Sequence, residues 1–211
     1  MTVAAIDCGT NSLRLLVADV DPVAGTVTDR VREQDVVRLG EGVDRTGAVS
    51  AEALDRALGV TRRYAERARG LGATALRFAT TSAVRDAGNR AEVLAALGDA
   101  AGARAEVLTG AEEAELSFRG ATAALAGRHP WPMLVCDLGG GSTELVLGGP
   151  KGVIEAHSMD IGSVRLHERH LTSDPPTAAE VAAASADVSA ALDAAQKHVA
   201  FWPTATLVGV A

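Results

Sequence analysis

Val135-Cys136-Asp137-Leu138-Gly139-Gly140-Gly141-Ser142-Thr143-Glu144-Leu145 is the stretch on which the reading of the whole chain turns. The apolar run from Met133 to Cys136 predicts a short buried strand, the aspartate and three glycines a tight turn, and the apolar residues from Leu145 a returning strand. Glycine in such a turn lets backbone N–H groups approach a ligand with no Cβ in the way. A run of amides in a tight turn makes a concave anion site. Ser142 and Thr143 add hydroxyl donors, and Asp137 and Glu144 add carboxylates able to hold a cation or a water.

Moved back by 130 positions, the stretch finds a partner: Ala5-Ile6-Asp7-Cys8-Gly9-Thr10-Asn11-Ser12-Leu13-Arg14-Leu15-Leu16-Val17 aligns with Val135 to Leu147. Asp7 falls on Asp137, Gly9 on Gly139, Ser12 on Ser142 and Leu15 on Leu145. Each turn alone is one that any tight hairpin could use, because Asp, Gly and Ser favour turns. The shared Asp-x-Gly-x-x-Ser within two strand–turn–strand patterns is an internal repeat. It points to two phosphate-gripping hairpins built from Gly9, Thr10, Asn11 and Ser12, and from Gly139, Gly140, Gly141, Ser142 and Thr143.

These paired loops resemble the actin-like ATPase and sugar-kinase superfamily, in which two duplicated domains clamp a polyphosphate group. The wording of residues 5–16 and 137–145 is similar to the exopolyphosphatase/guanosine pentaphosphate phosphohydrolase family. Ala79-Thr80-Thr81-Ser82-Ala83-Val84-Arg85-Asp86-Ala87-Gly88-Asn89 and Leu108-Thr109-Gly110-Ala111-Glu112-Glu113-Ala114-Glu115-Leu116-Ser117-Phe118 agree with it. The resemblance runs along essentially the whole chain. It implies an α/β protein with two ribonuclease-H-like domains flanking a cleft, the first over residues 1–125 and the second over 126–211. In the family the last strand leads into another glycine-rich loop, so the resemblance also implies a second domain incomplete at its C-terminus. The open strand edge this leaves invites pairing, which makes a homodimer possible.

Composition narrows the chemistry. The 211 residues carry a net charge of −7, so broad electrostatic capture of a polyanion is not expected, and phosphate must be held by local amides, arginines and a metal ion. With aromatics at 3% and no long basic stretch, nucleic-acid binding is not expected. No apolar run approaches the roughly 18–20 residues of a membrane span, and the chain opens directly on a strand without a signal segment. Cys8 and Cys136 read as free, buried thiols, which fits a reducing cytoplasm.

Hydrophobic periodicity supplies the remaining elements. Strands are predicted over residues 3–7, 13–19 and within 26–39, with a loop from Gly40 to Gly47. Ser50 caps a helix whose apolar face includes Leu54, Leu58, Thr61 and Ala65. A strand over residues 75–79 leads through Thr80-Thr81-Ser82 into a short helix. Asn89 with Glu92, Thr109 with Glu112, and Thr177 with Glu180 have capping-box spacing ahead of three more helices. Strands are predicted over residues 104–108, 153–159 and 206–210, and a helix over 162–171. Gly127 to Pro132 reads as a hinge, and Pro203 ends the alanine-rich helix. In the second domain Val135, Leu145, Val146, Val153, Ile154, Val181, Val188, Leu192, Val199, Leu207 and Val208 are expected to form the core.

Glu112 and Glu113 lie in a first helical turn, where acidic residues compensate the helix dipole. That suffices for Glu112. Glu113 matches the family glutamate that activates water, so the resemblance implies a general base there. Glu144 beside bound phosphates is costly unless a cation intervenes, which argues for Mg²⁺, an ion satisfied by few carboxylates, waters and substrate phosphates. Asp7, Asp137 and Glu144 are its candidate ligands, with turn capping the alternative for the two aspartates, and Glu144 is second in line as catalytic base. Arg85 is suited to bidentate phosphate contact or to an ion pair with Asp86 or Glu92. Arg14 faces either the cleft or solvent. His167 and His170 share a helical face but have no third ligand nearby in sequence, which disfavours zinc. The expected activity is Mg²⁺-dependent release of the terminal phosphate of inorganic polyphosphate. Its alternatives are a guanosine pentaphosphate (pppGpp) 5′-phosphohydrolase, a sugar or acetate kinase, and a non-catalytic phosphate-binding module.

Overall fold

The computed structural model of the chain describes residues 1–202 and 204–210; Pro203, expected to end a helix, lies outside the described residues. The chain divides into two compact units, Met1–Leu108 and the part from Thr109 onward.

In the first unit, β1 (Thr2–Cys8), β2 (Ser12–Asp21) and β3 (Thr26–Val36) form an antiparallel meander. Next come α1 (Val43–Thr46), α2 (Ala51–Gly70), β4 (Ala75–Thr80), α3 (Ser82–Asp86), α4 (Arg90–Ala101) and β5 (Ala105–Val107). β4 pairs parallel with β1 and β5 parallel with β4, giving the sheet order β3-β2-β1-β4-β5. Along β1 the side chains alternate: Ala4, Ile6 and Cys8 are buried while Ala5 and Asp7 are exposed, as the two-residue pleat requires. The buried face meets α2 through Ala53, Ala57 and Tyr64, and α4 through Val93 and Leu97. Alanines centre the α2 stripe because they let helix and sheet approach closely. Leu54 and Leu58, expected on this face, pack half-buried against the same core.

Two local expectations change here. The segment from Gly40 to Gly47 is not all loop, because α1 forms within it between two left-handed glycines, Gly42 and Gly47. Asn89 precedes α4 but makes no side-chain cap. Its amide instead pairs with the backbone of Val49, accepting from the N–H and donating to the carbonyl, each at 3.0 Å. A tertiary partner outcompeted the local one.

The second unit contains α5 (Gly110–Thr122), β6 (Met133–Leu138), β7 (Thr143–Gly149), β8 (Gly152–Met159), α6 (Ser163–His170), α7 (Ala178–Ala195) and β9 (Thr206–Val210), with the sheet order β8-β7-β6-β9. The capping boxes at Thr109/Glu112 and Thr177/Glu180 both form as their spacing predicts. One face of this sheet packs Leu134, Leu145 and Leu147 against Ala195 and Val199. The other packs Val135 and Val146 against Ala114 and Phe118 of α5. A Cβ on Gly148 would sit 2.1 Å from the Phe118 ring, so that glycine is what lets α5 lie on the sheet. The expected divide between residues 125 and 126 falls one helix later than the compact units do, and the difference is α5 itself. Of the residues expected in this core, Val153, Ile154, Val181 and Leu207 are exposed. Periodicity alone gave them a face that the described residues do not bury.

The internal repeat is a repeat of structure. In the first hairpin Cys8 pairs with Leu13 and Asp7 with Arg14; in the second Leu138 pairs with Thr143 and Asp137 with Glu144. The offset of 130 residues holds down both strands. Each hairpin then takes a parallel neighbour, β4 beside β1 and β9 beside β6.

Candidate active site

Both hairpin tips close in the same way. The N–H of Gly9 donates to the Ser12 carbonyl and that of Gly139 to the Ser142 carbonyl, each at 3.0 Å. These two glycines therefore give shape to the turn, and their own amides are committed. A Cβ at position 139 would lie 2.9 Å from the Ser142 oxygen, so the residue there must be small. The next two amides differ: among the described residues, no acceptor takes the N–H of Thr10, Asn11, Gly140 or Gly141.

The tip carbonyls, in contrast, are held from behind. In the first unit the N–H groups of Val37 and Arg38 donate to the Asn11 carbonyl (2.9 and 2.8 Å), and that of Gly40 to the Thr10 carbonyl (2.8 Å). Arg38 adopts φ 50° to do so, a conformation uncommon outside glycine. In the second unit Ser163 donates its N–H to the Gly139 carbonyl (3.0 Å), and Val164 and Arg165 donate theirs to the Gly140 carbonyl (2.9 and 3.1 Å). The Arg165 Nε donates to the Gly141 carbonyl at 2.8 Å. With each carbonyl fixed backward, the free amides of the tip form a preset cradle of partial positive charge.

Close backbone contact completes both supports. A Cβ on Gly40 would lie 2.2 Å from the Thr10 methyl, and one on Gly162 would lie 2.5 Å from the Gly140 carbonyl group. In the sequence, Gly40 and Gly162 read only as element boundaries. Their spacing from the tips carries no local signal, because the contacts form only when the third strand of each meander returns.

Several predicted donors also have structural partners. The Thr10 hydroxyl shares a hydrogen bond with Ser82 at 2.9 Å, and Thr143 donates to the Ile161 carbonyl at 2.7 Å. Ser142 is buried beneath its tip and Asn11 half-buried. Arg85 donates to the Leu108 carbonyl at 3.0 Å, which ties α3 to the end of the first unit. Arg14 stands opposite Asp7 on the sheet face away from the α2 and α4 core.

The carboxylates concentrate in the second unit. Asp137 and Glu144 are direct partners across β6 and β7, so they share a sheet face with their Cβ atoms roughly 5 Å apart. Glu144 is 1% exposed, and its Oε1 accepts from Ser158 of β8 at 2.7 Å. Asp137 accepts through Oδ2 from Ser117 of α5. Glu113 lies four residues before Ser117, hence on the same side of α5 and roughly one turn away. The Cys136 thiol is pushed above its ordinary value, first by burial and then by Asp137 and Glu144. It remains protonated, which argues against a thiolate nucleophile.

Like charges directly opposite one another on a sheet repel, and a bound cation would offset that repulsion. Among the described residues no group of three or more His, Cys, Asp or Glu side chains forms a protein-only metal cage. Two adjacent carboxylates beside a phosphate cradle suit Mg²⁺, which takes one or two carboxylates and completes its shell with water and phosphate oxygens. Asp137 and Glu144 fit that role in the second unit. Asp7, exposed at the corresponding place in the first, is a further oxygen donor of the right kind.

A family model, that of the Ppx/GppA phosphatase family, matches residues 16–210. The chain is 49% identical over 216 residues to exopolyphosphatase 2 of Mycobacterium tuberculosis, covering 99% of this chain and 67% of that protein. It superposes on the crystal structure of an exopolyphosphatase-like protein with a TM-score of 0.94 and 46% identity, covering 100% of this chain and 66% of the other. For an exopolyphosphatase from Cytophaga hutchinsonii the TM-score is 0.89 and the identity 29%, over 99% of this chain and 66% of the other. The chain thus spans about two thirds of the length of the relatives it matches.

Proposed function

The chain belongs to the Ppx/GppA phosphatase family, a family of phosphoanhydride hydrolases, and on that premise we propose that it is an exopolyphosphatase, releasing orthophosphate from the end of inorganic polyphosphate with Mg²⁺ as cofactor, in the cytoplasm. The observation that carries this reading is the second hairpin tip, whose Gly140 and Gly141 amides have no acceptor among the described residues and lie beside the Asp137–Glu144 pair.

The terminal phosphoryl group rests on the Gly140 and Gly141 amides, with the Ser142 and Thr143 side chains beneath. The tip of the first unit offers the amides of Thr10 and Asn11 to phosphate in the same way, and Arg85 supplies a cation at the end of that unit. Asp137 and Glu144 would hold Mg²⁺, and Asp7 in the first unit is an oxygen donor of the same kind. When bound, the ion neutralises phosphate charge. Glu113 accepts a proton from water as the water oxygen bonds to the terminal phosphorus; the bridging P–O bond breaks and the shortened chain leaves with the electron pair. Most of the acceleration in such transfers is positioning and charge neutralisation, and a rigid amide cradle supplies the first at no cost in reorganisation.

The test is phosphate release from polyphosphate, guanosine pentaphosphate and ATP side by side, with and without Mg²⁺. Mg²⁺-dependent turnover with polyphosphate preferred is the expected result. Preference for guanosine pentaphosphate, or ADP formed together with a phosphorylated acceptor, would overturn the substrate assignment.

A further inference from the structure

We propose that Ser117 and Ser158 are positioning residues for the reaction: two hydroxyls, from a helix and a strand on either side of the second hairpin, that fix the carboxylate pair Asp137 and Glu144. The inference rests on the hydrolase reading above and adds to it residues that act through the two carboxylates.

Each serine serves one carboxylate. Ser117 donates to Asp137 Oδ2 and Ser158 to Glu144 Oε1. The two carboxylates sit on adjacent strands, and the hydroxyls reach them from outside that pair, from α5 and from β8. A carboxylate accepts through either oxygen and rotates readily about its terminal torsion. A donor on a defined oxygen restricts that freedom.

The same contacts locate the helix that carries Glu113. Gly110, in the first turn of α5, packs so closely on β8 that a Cβ there would lie 2.9 Å from the Ser158 Cβ and 3.3 Å from its hydroxyl oxygen. Ser158 thus touches the start of α5 while holding Glu144, and Ser117 about two turns later holds Asp137. Glu113 lies between these anchor points on the helix. Three acidic residues from three elements are therefore registered against one another by two hydroxyls and one glycine. Such support matters because a displacement of about 1 Å in a catalytic constellation costs on the order of 10²-fold in rate.

The experiment compares wild type with Ser117→Ala, Ser158→Ala, the double variant and Ser117→Thr, which keeps the hydroxyl. Steady-state kinetics on polyphosphate, thermal unfolding and crystal structures of the same proteins are measured together. We expect kcat to fall about tenfold in each alanine variant while KM changes less than threefold. We also expect Ser117→Thr to restore at least half the activity, and the freed carboxylate to rotate or split into two conformers over an unmoved hairpin. Undiminished kcat in the double variant would overturn the proposal. So would carboxylates that keep their orientation without the hydroxyls, or a loss of kcat in proportion to lost thermal stability that threonine does not repair. If wild type prefers guanosine pentaphosphate, the substrate reading fails and the kinetics are run on that compound. If wild type hydrolyses neither, the hydrolase reading fails, and the crystallographic comparison alone decides whether the serines orient the pair.

Discussion

At the residue scale, the consequences follow from which atoms are already committed. Glu112 spends its carboxylate on the capping box, accepting from the Thr109 N–H and hydroxyl at 2.8 Å, while Glu113 lies on the side of α5 that carries Ser117. Glu113→Gln keeps the shape and removes the base, so turnover is expected to fall by at least ~10²-fold with polyphosphate affinity preserved. Phosphate-release kinetics and equilibrium binding check it, and equal turnover would move the base to Glu144. Gly162→Ala drives a Cβ to within 2.5 Å of the Gly140 backbone. Overpacking of that kind costs about 1–3 kcal/mol, and the displaced tip should lose affinity for phosphate as well. Gly59→Ala in α2 is the control, since nothing lies within 4 Å of its would-be Cβ. There, alanine should stabilise by about 0.5–1 kcal/mol, measurable by denaturant unfolding, with activity unchanged.

At the scale of elements, β8 is held to the chain that follows α7 by contacts that respond to pH. His157 of β8 stacks on His198, ring centroids 4.5 Å apart at 11°, and Glu155 Oε2 accepts from the Ala200 N–H at 2.7 Å. The His157 imidazole titrates below its ordinary value of 6.5, first from burial and then from the His198 charge, with Asp160 opposing. The native state therefore binds this proton more weakly than the unfolded chain does. Its contribution to stability is complete above the unfolded value and is lost as pH falls from about 6.5 through the lower folded value. Urea unfolding at pH 7.5 and pH 5.5 should show this loss in wild type and a smaller one in His198→Ala. Glu180 acts lower on the scale: it accepts from the N–H and hydroxyl of both Thr172 and Thr177, and these bonds hold its carboxyl well below the usual range. Stability from it is present above the unfolded carboxylate value and disappears only in strong acid.

At the scale of the whole molecule, the proposed phosphate cradle of the duplicated hairpin would exist only in the folded chain. A ligand that binds only the native state at a hundred times its Kd stabilises by about 2.7 kcal/mol. For a chain of this size that is a rise in Tm of roughly 5–10 °C. Tripolyphosphate with Mg²⁺ should produce it in a thermal melt, sulfate should produce less, and a melt indifferent to both would refute the cradle. Crystals grown with sulfate or phosphate should place the anion on the amides of Gly140 and Gly141 or of Thr10 and Asn11.

The sequence by itself determined the α/β character, the two glycine hairpins, their offset and two of the three capping boxes. Each of these is local: a tight turn, an alternation or a cap is specified by residues a few positions apart, and the repeat by comparing two such stretches. Tertiary structure decided the rest, because the deciding atoms come from elements distant in sequence. Asn89 has the spacing of a cap, yet Val49 takes both ends of its amide. Ile154 and Leu207 have the alternation of core residues yet lie exposed. Gly9 and Gly139 read as phosphate donors, yet closing the turn uses their N–H groups, and the proposed role falls to the next two amides. Nothing in the order of residues joins Ser158 to Glu144 or Ser117 to Asp137. Those pairs exist because β8 folds back along β7 and α5 lies across the sheet, and only that packing brings the hydroxyls to the carboxylates.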